Sequence, residues 1–143
     1  MEEQIKEDSI SFINVKKCII DVMGNLYSAF YKIGFIHRDM HLQNIIIHNN
    51  DALVIDYGES LVVPPSIKDS DDSFMFYYLL LINDYIRILN ELNDIYINLP
   101  SRQKISNSVE LMTYLMGVRQ NNEKLKYNLF LQQVDNMQLI SYR

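Results

Sequence analysis

His37-Arg38-Asp39-Met40-His41-Leu42-Gln43-Asn44 runs into Ile45-Ile46-Ile47-His48-Asn49-Asn50-Asp51-Ala52-Leu53-Val54-Ile55 and ends on Asp56-Tyr57-Gly58. The segment 44–47 is short, apolar and β-branched, as a buried strand is, and 52–55 is a second segment of the same kind. His48-Asn49-Asn50-Asp51 between them is a cluster of turn-forming residues. Two short strands around a four-residue turn predict a β-hairpin. A hairpin returns the chain on itself, so Asn44, just before the first strand, and Asp56, just after the second, are expected to be neighbours. Asp39 lies one loop length from Asn44. Oxygen ligands that converge in this way suit Mg²⁺, a hard cation that prefers carboxylate, amide, water and phosphate oxygens. A further carboxylate outside the metal pair can orient a hydroxyl nucleophile. Phosphoryl transfer needs these parts, because it rests mostly on positioning and charge neutralisation.

Working outward, residues 1–8 read as a loose leader. From Ser9 or Ser11 to Gly34 the pattern is helical, with either serine as the N-cap and Gly34 as the C-terminal stop. Ile13, Ile20, Tyr27 and Tyr31 fall along one stripe, and Val15, Ile19, Val22, Met23, Leu26 and Phe30 broaden it, so this helix is expected to be buried on two sides. Downstream, Pro64-Pro65 interrupts regular structure. Ser70-Asp71-Asp72-Ser73 signals a helix start. That helix is expected to run to about Asn93, with Phe76, Leu80, Asn83 and Arg87 marking its faces. Pro100 falls in a linker, and two further helices are expected near 108–116 and 123–134. The tyrosines at 77, 78, 85, 96 and 114 read as core and rim residues. The fold class is therefore mainly α, of the α+β kind, as one domain over 1–143 with little room for a large sheet.

The chain has 143 residues, 48% hydrophobic and 22% charged, which suits one folded domain with a sizeable core. A net charge of −5 and a pI near 5.1 argue against a nucleic-acid binder working through bulk charge. The most apolar stretch, from Phe74 to Leu92, is interrupted by Asn83, Asp84, Arg87, Asn90 and Glu91, too polar for a membrane span. The single cysteine, Cys18, sits in the apolar helical pattern and reads as a small buried hydrophobe. It can form no internal disulfide, and the acidic N-terminus is unlike a signal or transit peptide, so a cytoplasmic location is expected. His37 and His41 are spaced i, i+4 but fall in a loop, so a zinc site is not expected.

The string His37-Arg38-Asp39…Asn44 followed by Asp56-Tyr57-Gly58 resembles the H-R-D-x-x-x-x-N and D-F-G motifs of the protein kinase superfamily, with Tyr in place of Phe. The order of helix, hairpin and long helix from about Ser9 to Asn93 is similar to a kinase C-terminal lobe. The resemblance implies Asp39 as the catalytic base that accepts the acceptor's hydroxyl proton. It implies Asn44 and Asp56 as ligands for Mg²⁺ against the phosphates of ATP, His37 as a packing residue, Arg38 as an electrostatic partner for the segment after Asp56, and Gly58 as a point of backbone freedom. It also implies an acid that opens the long helix and bonds back to the catalytic loop, and Asp72 is the candidate. His41 stands where typical protein kinases carry Lys. Small-molecule phosphotransferases of the aminoglycoside and choline kinase type often read H-G-D-x-H-x-x-N there, so His41 either contacts the transferred phosphate or is a polar loop residue.

The sequence also departs from that family. It has four glycines, at 24, 34, 58 and 117, so there is no Gly-rich phosphate loop. No strand lysine of the V-A-I-K kind precedes the first helix, and the N-terminal lobe reads as absent. The segment from Glu59 to Asp72 is short, contains no A-P-E triplet, and marks neither Ser60 nor Ser66 as a phosphosite. The pattern is similar to compact kinases of large DNA viruses, which would place the chain in a host cytoplasm. The expected function is ATP- and Mg²⁺-dependent transfer of a γ-phosphoryl group to a hydroxyl, on a protein Ser or Thr or on a small molecule. The alternative is a truncated lobe that binds a partner chain without catalysis. Neither reading calls for nucleic acid or a membrane.

Overall fold

The computed structural model describes residues 1–64, 71–106 and 127–141, without the side chains of 71–75 and 127–130. The helix expected at 108–116, the first residues of that at 123–134, and Pro65, Ser66, Ser70 and Tyr114 lie outside the described residues. The architecture is mixed. Among the described residues, helices α1 (Glu2–Lys6), α2 (Phe12–Ile33), α3 (Asp71–Asn98) and α4 (Tyr127–Asp135) accompany six short strands, and a 3-10 turn spans Leu42–Asn44. The strands are β1 (Phe35–Ile36), β2 (Ile45–His48), β3 (Asp51–Val54), β4 (Leu61–Val62), β5 (Gln103–Ile105) and β6 (Leu139–Ser141). They pair as three antiparallel ribbons, β1 with β4, β2 with β3, and β5 with β6.

Of the two candidate caps for α2, Ser11 is the one used. Its backbone is extended and its hydroxyl accepts from the Asn14 N–H at 3.3 Å, satisfying one of the helix's orphan donors. Gly34 ends the helix in the left-handed region, at φ 73°, where a side chain is costly. A Cβ there would also lie 2.4 Å from the Val63 carbonyl oxygen, so the position requires glycine twice over. The buried stripe of α2 is Val15, Cys18, Ile19, Val22, Met23, Leu26 and Phe30. It is the broadening set rather than the expected lead stripe, since Ile13 is 75% exposed and Tyr31 is also on the surface. Steps of three and four from Val15 keep one face continuous, and of the expected lead stripe Ile20 and Tyr27 pack against its edge, partly buried.

Helix α3 extends past Asn93 to Asn98 and buries Tyr78, Leu81, Ile82, Tyr85, Ile88, Leu89, Leu92 and Tyr96. The Tyr85 hydroxyl donates to the Met23 carbonyl at 3.0 Å, joining α3 to α2 through the core. Residues 1–8 are not a loose leader. Helix α1 buries Ile5 completely, and the backbone nitrogen of Met1 donates to the Ile45 carbonyl at 2.9 Å. Burial of that one isoleucine against the core outweighs the polar composition that suggested a free end.

The hairpin is present, with a tighter turn than expected. His48 pairs with Asp51, so only Asn49 and Asn50 form the loop. Both have positive φ, 52° and 65°, the signature of the two-residue turn that matches strand twist, and asparagine tolerates that region. Outside this inner ribbon sits the second ribbon, in which Phe35 pairs with Val62 and Ile36 with Leu61. The chain from 37 to 60 is therefore pinned twice, by nested ribbons. Two connecting arms, 37–44 and 55–60, run side by side between them.

Candidate active site

All the motif residues lie on these two arms. His37, Asp39, His41 and Asn44 are on the first, and Asp56 and Gly58 on the second. The arms are stitched together directly. The Ile55 N–H donates to the Asn44 carbonyl at 2.9 Å, which extends the inner ladder by one rung. The Ser60 hydroxyl donates to the His37 carbonyl at 3.1 Å. His37 is fully buried, and its ring joins three points. Nδ1 accepts from the Asp39 N–H at 3.2 Å, so the ring proton resides on Nε2, which donates to the Ile55 carbonyl at 2.9 Å. The Tyr57 ring lies 5.5 Å from the His37 ring, centroid to centroid. The packing role expected of His37 thus has a specific form: it fixes the distance between the arms.

Asn44 is also buried. Its Nδ2 donates to the Asp39 carbonyl at 2.8 Å, which leaves Oδ1 as the atom able to face a cation. Asp56 follows the rung made by Ile55 and is exposed, at φ 62°. A Cβ added to Gly58 would meet Asp56 Oδ1 at 3.5 Å, so the carboxylate leans over the glycine. Arg38 on the opposite arm is left-handed as well, at φ 72°. Non-glycine residues held in this region cost roughly 1–3 kcal/mol each and cluster at functional sites.

Compensation for Arg38 comes from α3. Asp84, 4% exposed, accepts from the N–H of Arg38 at 3.1 Å and of Met40 at 3.3 Å. Burial pushes its carboxyl above the usual carboxylate range, and those two N–H donors partly offset the shift. Among the described residues, the acid that bonds back to the loop is Asp84; the side chain of Asp72 lies outside them. One turn further on, Arg87 Nη1 donates to Asp39 Oδ1 at 2.7 Å. One more turn on, Glu91 Oε2 accepts from the Leu42 N–H at 2.7 Å. Residues 84, 87 and 91 share one helix face, and together they hold loop positions 38, 39, 40 and 42.

The Arg87 guanidinium beside Asp39 holds its carboxyl below the usual range, with His41 and His37 adding smaller contributions. His41 Nε2 lies 3.9 Å from Asp39 Oδ2, so His41 is beside the carboxylate. The Arg38 guanidinium is exposed and, among the described residues, pairs with no acid. Beside Arg87 a cleft of about 440 Å³ opens, lined also by Glu2, His41, Gln43, Glu91, Asp94 and Ile95.

The residues that sequence reasoning missed are Asp84, Arg87 and Glu91. Their spacing of three and four within an otherwise apolar helix was the available signal. Among the described residues, no group of three or more His, Cys, Asp and Glu side chains is arranged to hold a metal ion. Asn44 and Asp56 are brought to the same end of the inner ribbon by the rung between the Ile55 N–H and the Asn44 carbonyl. The outer face of the inner ribbon leaves Ile46 and Leu53, directly paired across the strands, 44% and 54% exposed, with Ile55 beside them. No helix among the described residues is long and apolar enough to cross a membrane. Compared with protein-family models, curated proteins and solved structures, the chain matches none.

Proposed function

We propose that this chain carries the catalytic loop of a kinase-like phosphotransferase, which moves the γ-phosphoryl group of ATP, with Mg²⁺, to a hydroxyl of a protein serine or threonine. The observation that carries this reading is the nested-ribbon geometry. The Asn44 amide is anchored on the Asp39 carbonyl, and the Asp56 arm is laddered onto the Asn44 carbonyl. A base candidate and two oxygen donors thereby fall within one short segment of folded chain.

In this reading Asp39 orients the acceptor hydroxyl. Asn44 and Asp56 would hold Mg²⁺, whose charge neutralises the phosphates during transfer. The apolar pair Ile46 and Leu53, continued by Ile55, is exposed on the same ribbon that carries these donors, and in this reading it takes the face of the purine ring. The strain at Arg38 and Asp56 fits a segment shaped for function rather than for stability alone. The test is transfer of radiolabel from γ-labelled ATP to generic proteins and to small alcohols, with Asp39→Ala as control. Label in protein that disappears in the control supports the reading. Label in alcohols alone redirects it to a small-molecule acceptor, the variant that the position of His41 beside Asp39 favours.

A second reading, a partner-binding lobe without transfer, is favoured by that same exposed apolar face. Exposed apolar surface of this kind marks contact sites. Leu53→Asp separates the two readings: it abolishes partner binding in the second, while Asp39→Ala leaves partner binding intact.

A further inference from the structure

Arg87 lies outside every motif of the loop and yet makes the shortest contact to the candidate base. Its Nη1 is 2.7 Å from Asp39 Oδ1, and its Nε is 3.8 Å from Glu91 Oε1. The other Glu91 oxygen takes the Leu42 N–H at 2.7 Å. The contacts close a circuit: Asp39 to Arg87, Arg87 to Glu91, Glu91 to Leu42, and back along three residues of loop. On the helix side the circuit spans one turn, which is rigid on the scale of a side chain. Asp84 fixes the backbone on either side of Asp39 through Arg38 and Met40. The backbone of the candidate base and one of its two oxygens are therefore both set from α3.

We propose that Arg87 is a positioning residue for Asp39: by occupying Oδ1 it fixes the carboxylate rotamer and leaves Oδ2 as the single oxygen that takes the acceptor hydroxyl's proton. This rests on the phosphotransferase reading above. In the step concerned, the hydroxyl proton passes to Oδ2 while the acceptor oxygen bonds to the γ-phosphorus. The bond from that phosphorus to the β,γ-bridging oxygen breaks, and its electron pair leaves with ADP. His41, 3.9 Å from Oδ2, borders the open oxygen and not the occupied one. Charge-assisted pairs of this type orient a carboxylate more firmly than neutral hydrogen bonds do. The charged and titratable groups around Asp39 are Arg87, Asp84 and Glu91 from α3, and His37 and His41 from the loop.

The test compares wild type, Arg87→Met and Arg87→Lys, all in the full chain, with two readouts. The first is the carbon-13 carboxyl titration of Asp39, assigned by its loss in Asp39→Asn, which needs no activity. The second is the rate of label transfer from ATP. Positioning predicts that Arg87→Met raises the Asp39 titration midpoint and lowers kcat by about 100-fold, the scale of a lost acid–base contribution, with the KM for ATP little changed. Arg87→Lys restores much of both, and amide spectra that overlay those of wild type show that the variants fold. An unchanged Asp39 midpoint in Arg87→Met overturns the proposal whatever the activity. An active wild type whose kcat survives Arg87→Met overturns the proposal alone and leaves the phosphotransferase reading standing. A wild type that transfers nothing, with the midpoint shifted as expected, overturns the phosphotransferase reading and reduces the Arg87 pair to a structural one.

Discussion

The arms 37–44 and 55–60 leave the same two ribbons, but they are held in different ways. The first is gripped from α3: Asp84 reaches it from within the core, Arg87 and Glu91 reach it from the same helix face nearer the surface, and His37 is buried beneath it. The second hangs on a ladder rung at Ile55 and on the Ser60 hydroxyl, and its carboxylate, Asp56, is exposed. Hydrogen bonds that loop N–H groups donate to a buried carboxylate such as Asp84 are expensive to break, because the groups left behind have little water to turn to. An exposed carboxylate has water as an alternative partner, and it can exchange that water for a cation at little cost. The contrast suits a site in which one residue must keep its orientation while another must capture and release a ligand.

The contrast can be broken most sharply at Asp84. Asp84→Ala strands two loop N–H groups and is expected to destabilise the fold by about 3 kcal/mol in urea titration. A loss under 1 kcal/mol would mean that α3 does not hold the first arm. Gly34→Ala acts on the outer ribbon that both arms share. With a positive φ and a Cβ 2.4 Å from the Val63 carbonyl oxygen, it is expected to cost about 2 kcal/mol, read in the same titration.

The acid limb of stability sharpens the comparison further. Arg87, then the nearby histidines, hold the Asp39 carboxyl below its unfolded value. Its contribution is therefore complete above the unfolded value and is lost as pH falls through the lower folded one. Asp39→Asn should flatten this acid limb in denaturation curves taken from pH 6 down to pH 2.5. The smallest effect is expected at Asp56 itself. Asp56→Asn should change stability by no more than about 0.5 kcal/mol, as exposed substitutions do. A larger loss would show that the second arm is a structural clamp as well.

Much of this was legible in the sequence, for reasons that can be stated residue by residue. Gly34 and one of two serines, Ser9 or Ser11, marked the ends of α2 because capping chemistry is local. The hairpin was legible from its β-branched runs and paired asparagines, and it placed Asn44 and Asp56 at the same end. The ribbon of β1 and β4 was not legible, since two residues per strand carry no period. The ribbon of β5 and β6 joins segments far apart in the chain, and nothing local announces such a pairing. Asp84, Arg87 and Glu91 were visible only as interruptions of an apolar stretch. A polar residue on a buried helix face can be a partner for a loop instead of a solvent contact, and only the three-dimensional position of that loop distinguishes the two.

Paramagnetic broadening by Mn²⁺ in the presence of ATP, followed in amide and side-chain spectra of the intact chain, reads the metal site without requiring tight binding or turnover. Resonances of the Asn44 side-chain amide and of the Asp56 and Tyr57 backbone should broaden together, and the effect should vanish in Asp56→Asn. Broadening that misses Asn44 and Asp56, or that persists unchanged in that variant, would contradict a shared cation between the two arms.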